Sequence, residues 1–244
     1  MAKKGVIITD KEYNIIAFSE NNVSLDDESV DIILSMIEKA ETKTSRNNST
    51  SYAYVSGNFG TRVLSGLSPQ LQNSDNCVVT AASNVLWYYG NNGYPELISS
   101  YSWDRVKKKV KDAYIDIYTL INGVEPNPVV YAFQNNNTPI ALSQYLRKKN
   151  LSTSAINSSV HWNPSYTILK NEIDAGRPCM LGYIGNNTVE GSPFNGNHMT
   201  MACGYTTLQN KFYAYVAYGH QVAPMYYLWD TSYNDCVITI RMTY

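Results

Sequence analysis

"NSDNCVVTAASNVLWYYG", residues 73–90, joins a polar, turn-prone run to a stretch that reads as a buried helix, and Cys77 stands at the junction. Val78, Ala81, Ala82, Val85, Leu86 and Tyr89 recur at helical spacing and are all small or apolar. The helix predicted over 78–89 is therefore buried, while its N-terminus opens into a polar loop. Unpaired backbone N–H groups and the macrodipole favour negative charge in the first turn of a helix, so a thiol placed there ionises more readily. The same buried helix gives that tip a rigid, dry support.

The bulk composition bounds what surrounds it. A chain of 244 residues that is 44% hydrophobic can bury one full core with a small appended unit. A formal net charge of −1 leaves no basic footprint, so nucleic acid is not an expected partner. No apolar run approaches the roughly 18 residues that span a bilayer, and no membrane span is expected. The start "MAKKGVIITDKEYN" lacks the apolar region of a signal peptide. With 21 Tyr and only 16% charged residues, the surface is one of hydrogen-bonding groups, which points to a secreted or cell-surface setting. The four cysteines, Cys77, Cys179, Cys203 and Cys236, show no C-x-x-C and no metal-type spacing against the three histidines, so neither a metal nor another cofactor is expected. Cys179, Cys203 and Cys236 sit in apolar runs and read as small buried hydrophobes.

Along the chain, "GVIITDKEYNIIAF" at 5–18 predicts a hairpin turning at Asp10 to Tyr13. "SLDDESVDIILSMIEKAETK" has Ser24 and Asp27 at capping-box spacing and Val30, Ile33, Met36 and Ile37 on one face, which predicts an amphipathic helix over 26–42. The polar segment from Thr42 to Ser51 reads as an exposed linker, and the chain divides there into a hairpin-plus-helix unit (1–50) and a main domain (51–244). Further helices are predicted near 95–100, 103–121, 139–149 and 164–175, the third with Thr138 as N-cap and Pro139 at its first position. Strands follow at 179–184, 198–205, 211–219, 225–230 and 236–242. Helices first and strands later is the order of an α+β fold.

A nucleophilic thiol needs a base, and the base needs an orienting group. "GNHMTMACGY" offers His198 at the mouth of an apolar strand, and "MYYLWDTSYND" ends an aromatic strand at Asp230. His161 and His220 are rival bases in less organised surroundings. An acyl-transfer site also requires donors aimed at a developing oxyanion, and Gln72, five residues before Cys77, or Gln70 could supply one.

These residues resemble the papain-like cysteine peptidases of bacteria, within them the streptopain-like branch. The similarity lies in "CVVTAASNVLWYYGNNGYPE" and in "EIDAGRPCMLGYIGNN" followed by "GNHMTMACGY"; "KGVIITDKEYNIIAFSENNVSLDDESVDIILSMIEK" is similar to the end of that branch's pro-segment. The resemblance implies a papain-like α+β fold, a helical half carrying the nucleophile packed on an antiparallel sheet or barrel carrying the His. It implies Cys77 as nucleophile, His198 as general base, Gln72 as oxyanion donor and Asp230 as the group orienting His198. Where that branch has an Asn-Trp-Gly-Trp region this chain has "LWDTSYND"; Asp230 is similar instead to the double-glycine-leader type of peptidase, with Asn234 as the alternative. The function implied is hydrolysis of peptide bonds in a peptide or protein substrate through an acyl-thioester, with residues 1–50 as an intramolecular pro-segment of a zymogen. The same thiol chemistry serves an acyltransferase or transglutaminase, and a noncatalytic extracellular binding module on this fold is the reading from another class.

Overall fold

The computed structural model describes residues 6–9, 15–19, 62–70, 77–124, 135–183, 197–208, 211–217, 219, 224–229 and 234–243. The helix predicted over 26–42, the linker from Thr42 to Ser51, Gln72, His220 and Asp230 lie outside these residues.

The helices come first. α1 (Cys77–Asn91) buries 13 of its 15 residues, as its run of small and apolar side chains requires. α2 (Trp103–Asn122) starts where Ser102 accepts a bond from the Arg105 N–H, and ends at Gly123, whose φ of 72° turns the chain out of the helix. α3 (Thr138–Lys148) and α4 (Tyr166–Asp174) complete the set. Two expectations shift. The segment near 95–100 forms only a 3-10 turn at Pro95–Leu97, since Ser100 takes a positive φ of 63° and breaks the run. Thr138 is the first residue of α3 and Asn137 its cap; the Thr138 hydroxyl is instead the acceptor for Tyr114 Oη at 2.7 Å, both groups buried.

The described strands are β1 (Val6–Thr9), β2 (Ile15–Ser19), β3 (Arg62–Val63), β4 (Ile156–Trp162), β5 (Cys179–Tyr183), β6 (His198–Leu208), β7 (Lys211–Ala217), β8 (Met225–Leu228) and β9 (Asn234–Met242). They form one antiparallel sheet in the order β1-β2-β8-β7-β6-β5-β9-β4, with β3 added alongside β6. The N-terminal hairpin appears where expected and extends the main sheet by pairing β2 with β8. β4 was not expected; it is an edge strand on β9. A Tyr183–Tyr227 ring contact at 4.5 Å joins β5 to β8 across two intervening strands, so the sheet curls strongly.

α1 packs on β6 and β5, with α2 against α1, α3 against α2, and α4 over β3, β5, β6 and β9. The core between them holds Val85, Leu86, Leu142, Met180, Leu181 and Ile238, each fully buried. Burying a side chain of this size contributes about 1.5–3 kcal/mol, so this shared core holds the helices to the sheet. β3 can approach β6 because residue 204 is glycine: a Cβ there would meet the Arg62 carbonyl at 2.7 Å. The layering matches the expected arrangement, a helical half carrying Cys77 on an antiparallel sheet carrying His198.

Candidate active site

Cys77 is the first residue of α1 and is 6% exposed. Two hydrogen bonds fix how the far end of that helix lies on the sheet. Tyr89 Oη donates to the Ile240 carbonyl at 2.5 Å, near the end of β9, and Tyr88 Oη donates to the Gly176 carbonyl at 3.4 Å, just before β5. From Tyr89 back to Cys77 the helix rises about 18 Å. From Ile240 back to Asn234 the strand covers about 20 Å. Cys77 therefore stands level with the start of β9. Tyr114 of α2 gives independent support, because its hydroxyl, raised chiefly by burial, also feels the thiols of both Cys77 and Cys236.

The sheet register brings His198 to the same end. Tyr183, the last residue of β5, pairs with His198 on one side and with Asn234 on the other. Gly182 pairs with Cys236, so Asp235 is a bulge residue, and the bulge turns Asn234 to the face shared by its pairing partner Tyr183 and by His198. His198 is half-buried at the strand mouth, with its chain continuing into the buried Met199, Thr200 and Met201. The strand holds the backbone and leaves the imidazole at the rim.

The other expected residues fall as follows. Gln70 is held by its backbone: its N–H donates to Asn84 Oδ1 at 2.9 Å, and its carbonyl accepts from Asn84 Nδ2 at 3.2 Å. The Gln70 side-chain amide donates to the Ser68 carbonyl at 3.3 Å, back into its own segment. Trp229, the residue before Asp230, donates its N–H to the Phe212 carbonyl at 2.8 Å, and Phe212 pairs with Thr207, nine residues along β6 from His198. Asn234 is 2% exposed, and neither atom of its amide has a hydrogen-bond partner among the described residues. One strand lies between it and His198. His161 sits on β4 opposite Val237, with Nε2 3.3 Å from Thr239 Oγ1; it lies near the same end of the sheet but three strands across from the β6 that carries His198.

The remaining cysteines contrast with Cys77. Cys179 and Cys203 are fully buried, and burial pushes both thiols far above their usual range. No disulfide occurs among the described residues. Nor, among them, is there a cluster of His, Cys, Asp and Glu able to hold a metal, or a helix long and apolar enough to cross a membrane.

Asn84 and Tyr183 were missed at the sequence level. Asn84 had a signal, a polar residue in the middle of an otherwise buried helix. Tyr183 had none, because its position depends on pairing with two strands distant in sequence.

Comparison with known proteins gives a family. Residues 66–234, a span that includes Cys77 and His198, match the Peptidase_C39 like family. The chain belongs to that family. No curated protein matches the sequence. Among solved structures, one described as the structural basis for limited antibody cross-reactivity between the mite allergens Blo t 1 and Der p 1 is similar at 9% identity, over 84% of this chain and 77% of that one, with a TM-score of 0.45. A mutant fragment of prointerpain A from Prevotella intermedia is similar at 16% identity, over 92% of this chain and 87% of that one, with a TM-score of 0.37. Membership of the Peptidase_C39 like family and the Cys77–His198 arrangement lead to one chemical reading.

Proposed function

We propose that the chain is a cysteine peptidase that cleaves peptide bonds through an acyl-thioester, with Cys77 as nucleophile and His198 as general base and later general acid. The observation that carries this reading is a thiol on the first residue of a buried helix, at the end of the sheet where His198 opens β6. The helix N-terminus favours the thiolate. In the first half-reaction the Cys77 sulfur bonds to the scissile carbonyl carbon, and the carbonyl oxygen takes up the negative charge. Backbone N–H groups at the start of α1 and the amide of Gln72 are the donors this reading assigns to that oxyanion. His198 passes its proton to the leaving amine as the C–N bond breaks. It then takes a proton from water, whose oxygen attacks the thioester and releases the acid.

This reading weighs two residues for orienting His198: Asp230, by resemblance, and Asn234, the alternative, which like His198 pairs with Tyr183. The residue that orients the imidazole loses about 10²- to 10⁴-fold in kcat when replaced (Asp230→Asn or Asn234→Ala), the range of general acid–base catalysis, and the other does not.

The chain is read as a secreted or surface protein whose residues 1–50 are removed by cleavage between Thr42 and Ser51. The pairing of β2 with β8 bears on this: cleavage alone would leave the hairpin docked until its strands unzip. Sequencing the N-terminus after incubation tests the cleavage, and a new terminus inside a described strand would rule it out.

The activity is tested with quenched-fluorescent peptide pools and mass spectrometry of the intact protein. The expected result is turnover, with an acyl adduct on the peptide containing Cys77, both absent in Cys77→Ala. Release of product only when an amine acceptor is supplied would make the chain an acyltransferase. Peptide binding with no adduct would make it a binding module.

A further inference from the structure

We infer that Tyr183 is a positioning residue for His198: its ring fills the face of the sheet beside the imidazole and so keeps the base at the rim, at the end where Cys77 stands. This rests on the peptidase reading above. Tyr183 is the last residue of β5 and lies directly opposite His198, the first residue of β6. Residues opposite each other in an antiparallel pair share a face of the sheet, with Cβ atoms about 4.5–5.5 Å apart. A tyrosine ring therefore stands against the imidazole on its β5 side. The two neighbours differ in depth: Tyr183 is 2% exposed, whereas His198 is half-buried.

Packing on the same face explains the difference. The Tyr183 ring meets the Tyr227 ring edge to face, with centroids 4.5 Å apart and planes at 71°, a favoured aromatic geometry that fixes both rings. Tyr227 comes from β8, two strands beyond β6 in the sheet, and is itself 8% exposed. Its partner on β7 is the buried Ala214, a side chain too small to keep the ring from leaning across. Along β6, the next residue on the face of His198 is Thr200, which is buried and donates its hydroxyl to the Leu181 carbonyl at 3.2 Å. The face is thus closed beside the imidazole by the tyrosine pair and below it by Thr200. A histidine side chain has three staggered χ1 wells. Wells that tuck the ring down onto the sheet meet filled space, which leaves those that raise it to the rim. Removing the Tyr183 ring would reopen the others, because a large-to-small change in a packed core leaves a void that its surroundings close only in part. The imidazole would then leave its place at the thiol, and a displacement of about 1 Å costs on the order of 10²-fold in rate. The loss falls on kcat, since Tyr183 is buried beneath the rim and out of reach of substrate.

Kinetics on one peptide taken from the cleaved pool test this, with kcat, KM and melting temperature measured for wild type, Tyr183→Phe, Tyr183→Leu and Tyr213→Leu. Tyr213 of β7 is as deeply buried, at 1% exposed, but pairs with Thr206, far along β6 from His198. It therefore reports the cost of losing a core tyrosine elsewhere in the sheet. The expected result is a kcat at least about tenfold lower in Tyr183→Leu with KM within about twofold, and a kcat within about threefold of wild type in Tyr183→Phe, which keeps the ring. Tyr213→Leu is expected to melt at a lower temperature with its kcat within about threefold of wild type. Equal losses of kcat in Tyr183→Leu and Tyr213→Leu would make the role merely structural and overturn the inference. So would an unchanged kcat in Tyr183→Leu, or a loss in Tyr183→Phe as large as in Tyr183→Leu. If Tyr183→Leu does not fold, Tyr227→Leu serves: it removes the ring that braces Tyr183, and its kcat is expected to fall at least about threefold with KM unchanged, whereas an unchanged kcat overturns the inference. Turnover that survives Cys77→Ala, or is absent from wild type, removes the peptidase reading and this inference together. Turnover that Cys77→Ala and His198→Ala both abolish and Tyr183→Leu spares removes only the inference.

Discussion

The two ends of the sheet are built differently. At one end, where β9 finishes and α4 packs, the charges are matched. Glu172, its side chain 2% exposed, accepts from Arg177 Nε at 2.6 Å and from Arg241 Nη2 at 2.6 Å and Nε at 3.1 Å. Asp174 accepts from Lys170 Nζ at 2.5 Å and from Tyr205 Oη at 2.7 Å. At the other end, where β6 and β9 begin, buried polar groups are left open. The Asn234 amide and the Thr80 hydroxyl, one turn from Cys77, have no hydrogen-bond partner among the described residues. Fully matched charges rigidify a fold, whereas a buried donor or acceptor left without a partner costs free energy. The first end is the closed end and the second, with Cys77 and His198, the open end; Ser158 Oγ and Trp229 Nε1 at the closed end also lack a partner among the described residues, so what distinguishes that end is its matched charges.

The largest expected effect breaks the comparison at its open end. Cys77→Ala is expected to lower turnover by about 10⁴-fold or more while leaving the melting temperature unchanged, since a small buried side chain is replaced by a smaller one. A drop in melting temperature with residual turnover would reverse the assignment of the two ends. His198→Ala should follow, with kcat lower by about 10²- to 10⁴-fold.

Next comes the closed end. Glu172→Ala removes the hydrogen bonds of a buried carboxylate to two partly exposed guanidinium groups and is expected to destabilise the fold by about 1.5–3 kcal/mol in denaturant titration, with the alkylation rate of Cys77 in the folded protein unchanged. The pH dependence sharpens the point. Burial raises the pKa of Glu172, but the bonds from Arg177 and Arg241 outweigh it, and the net shift is downward. The folded value then lies below the unfolded value of about 4.3, so the stabilisation is fully present above that pH and is lost as pH falls through the folded pKa. Melting temperature measured from pH 7 to pH 3 should fall less steeply in Glu172→Gln than in wild type, and parallel curves would contradict the assignment. The smallest effect belongs to neither end: removing the exposed Lys108–Asp112 pair of α2, 2.9 Å apart, is expected to change stability by no more than about 0.5 kcal/mol.

How much of this was legible in the sequence follows from the range of each interaction. α1 and the β6–β7 hairpin are encoded by local pattern, small and apolar residues at helical spacing in one and apolar runs on either side of a turn in the other, and both were read. β4 was not, because "INSSVHW" carries Asn157, Ser158 and Ser159; an edge strand pairs on one side only and tolerates polar residues that a central strand would not. Cys77 and His198 were readable because each opens a regular element. Their shared level was not, since it depends on Tyr183 pairing with both β6 and β9. The Glu172 cluster was half visible: Arg177 lies five residues on, but Arg241 arrives from 69 residues away.

The most direct measurement is the iodoacetamide alkylation rate of each cysteine in the folded chain as a function of pH, resolved peptide by peptide. Labelling of Cys77 that persists well below pH 8.5, the ordinary thiol value of about 8.5, while Cys179 and Cys203 stay unlabelled, is the predicted result. Cys77 reacting no faster than an ordinary thiol at low pH, both before and after removal of residues 1–50, would contradict a stabilised thiolate at the head of α1.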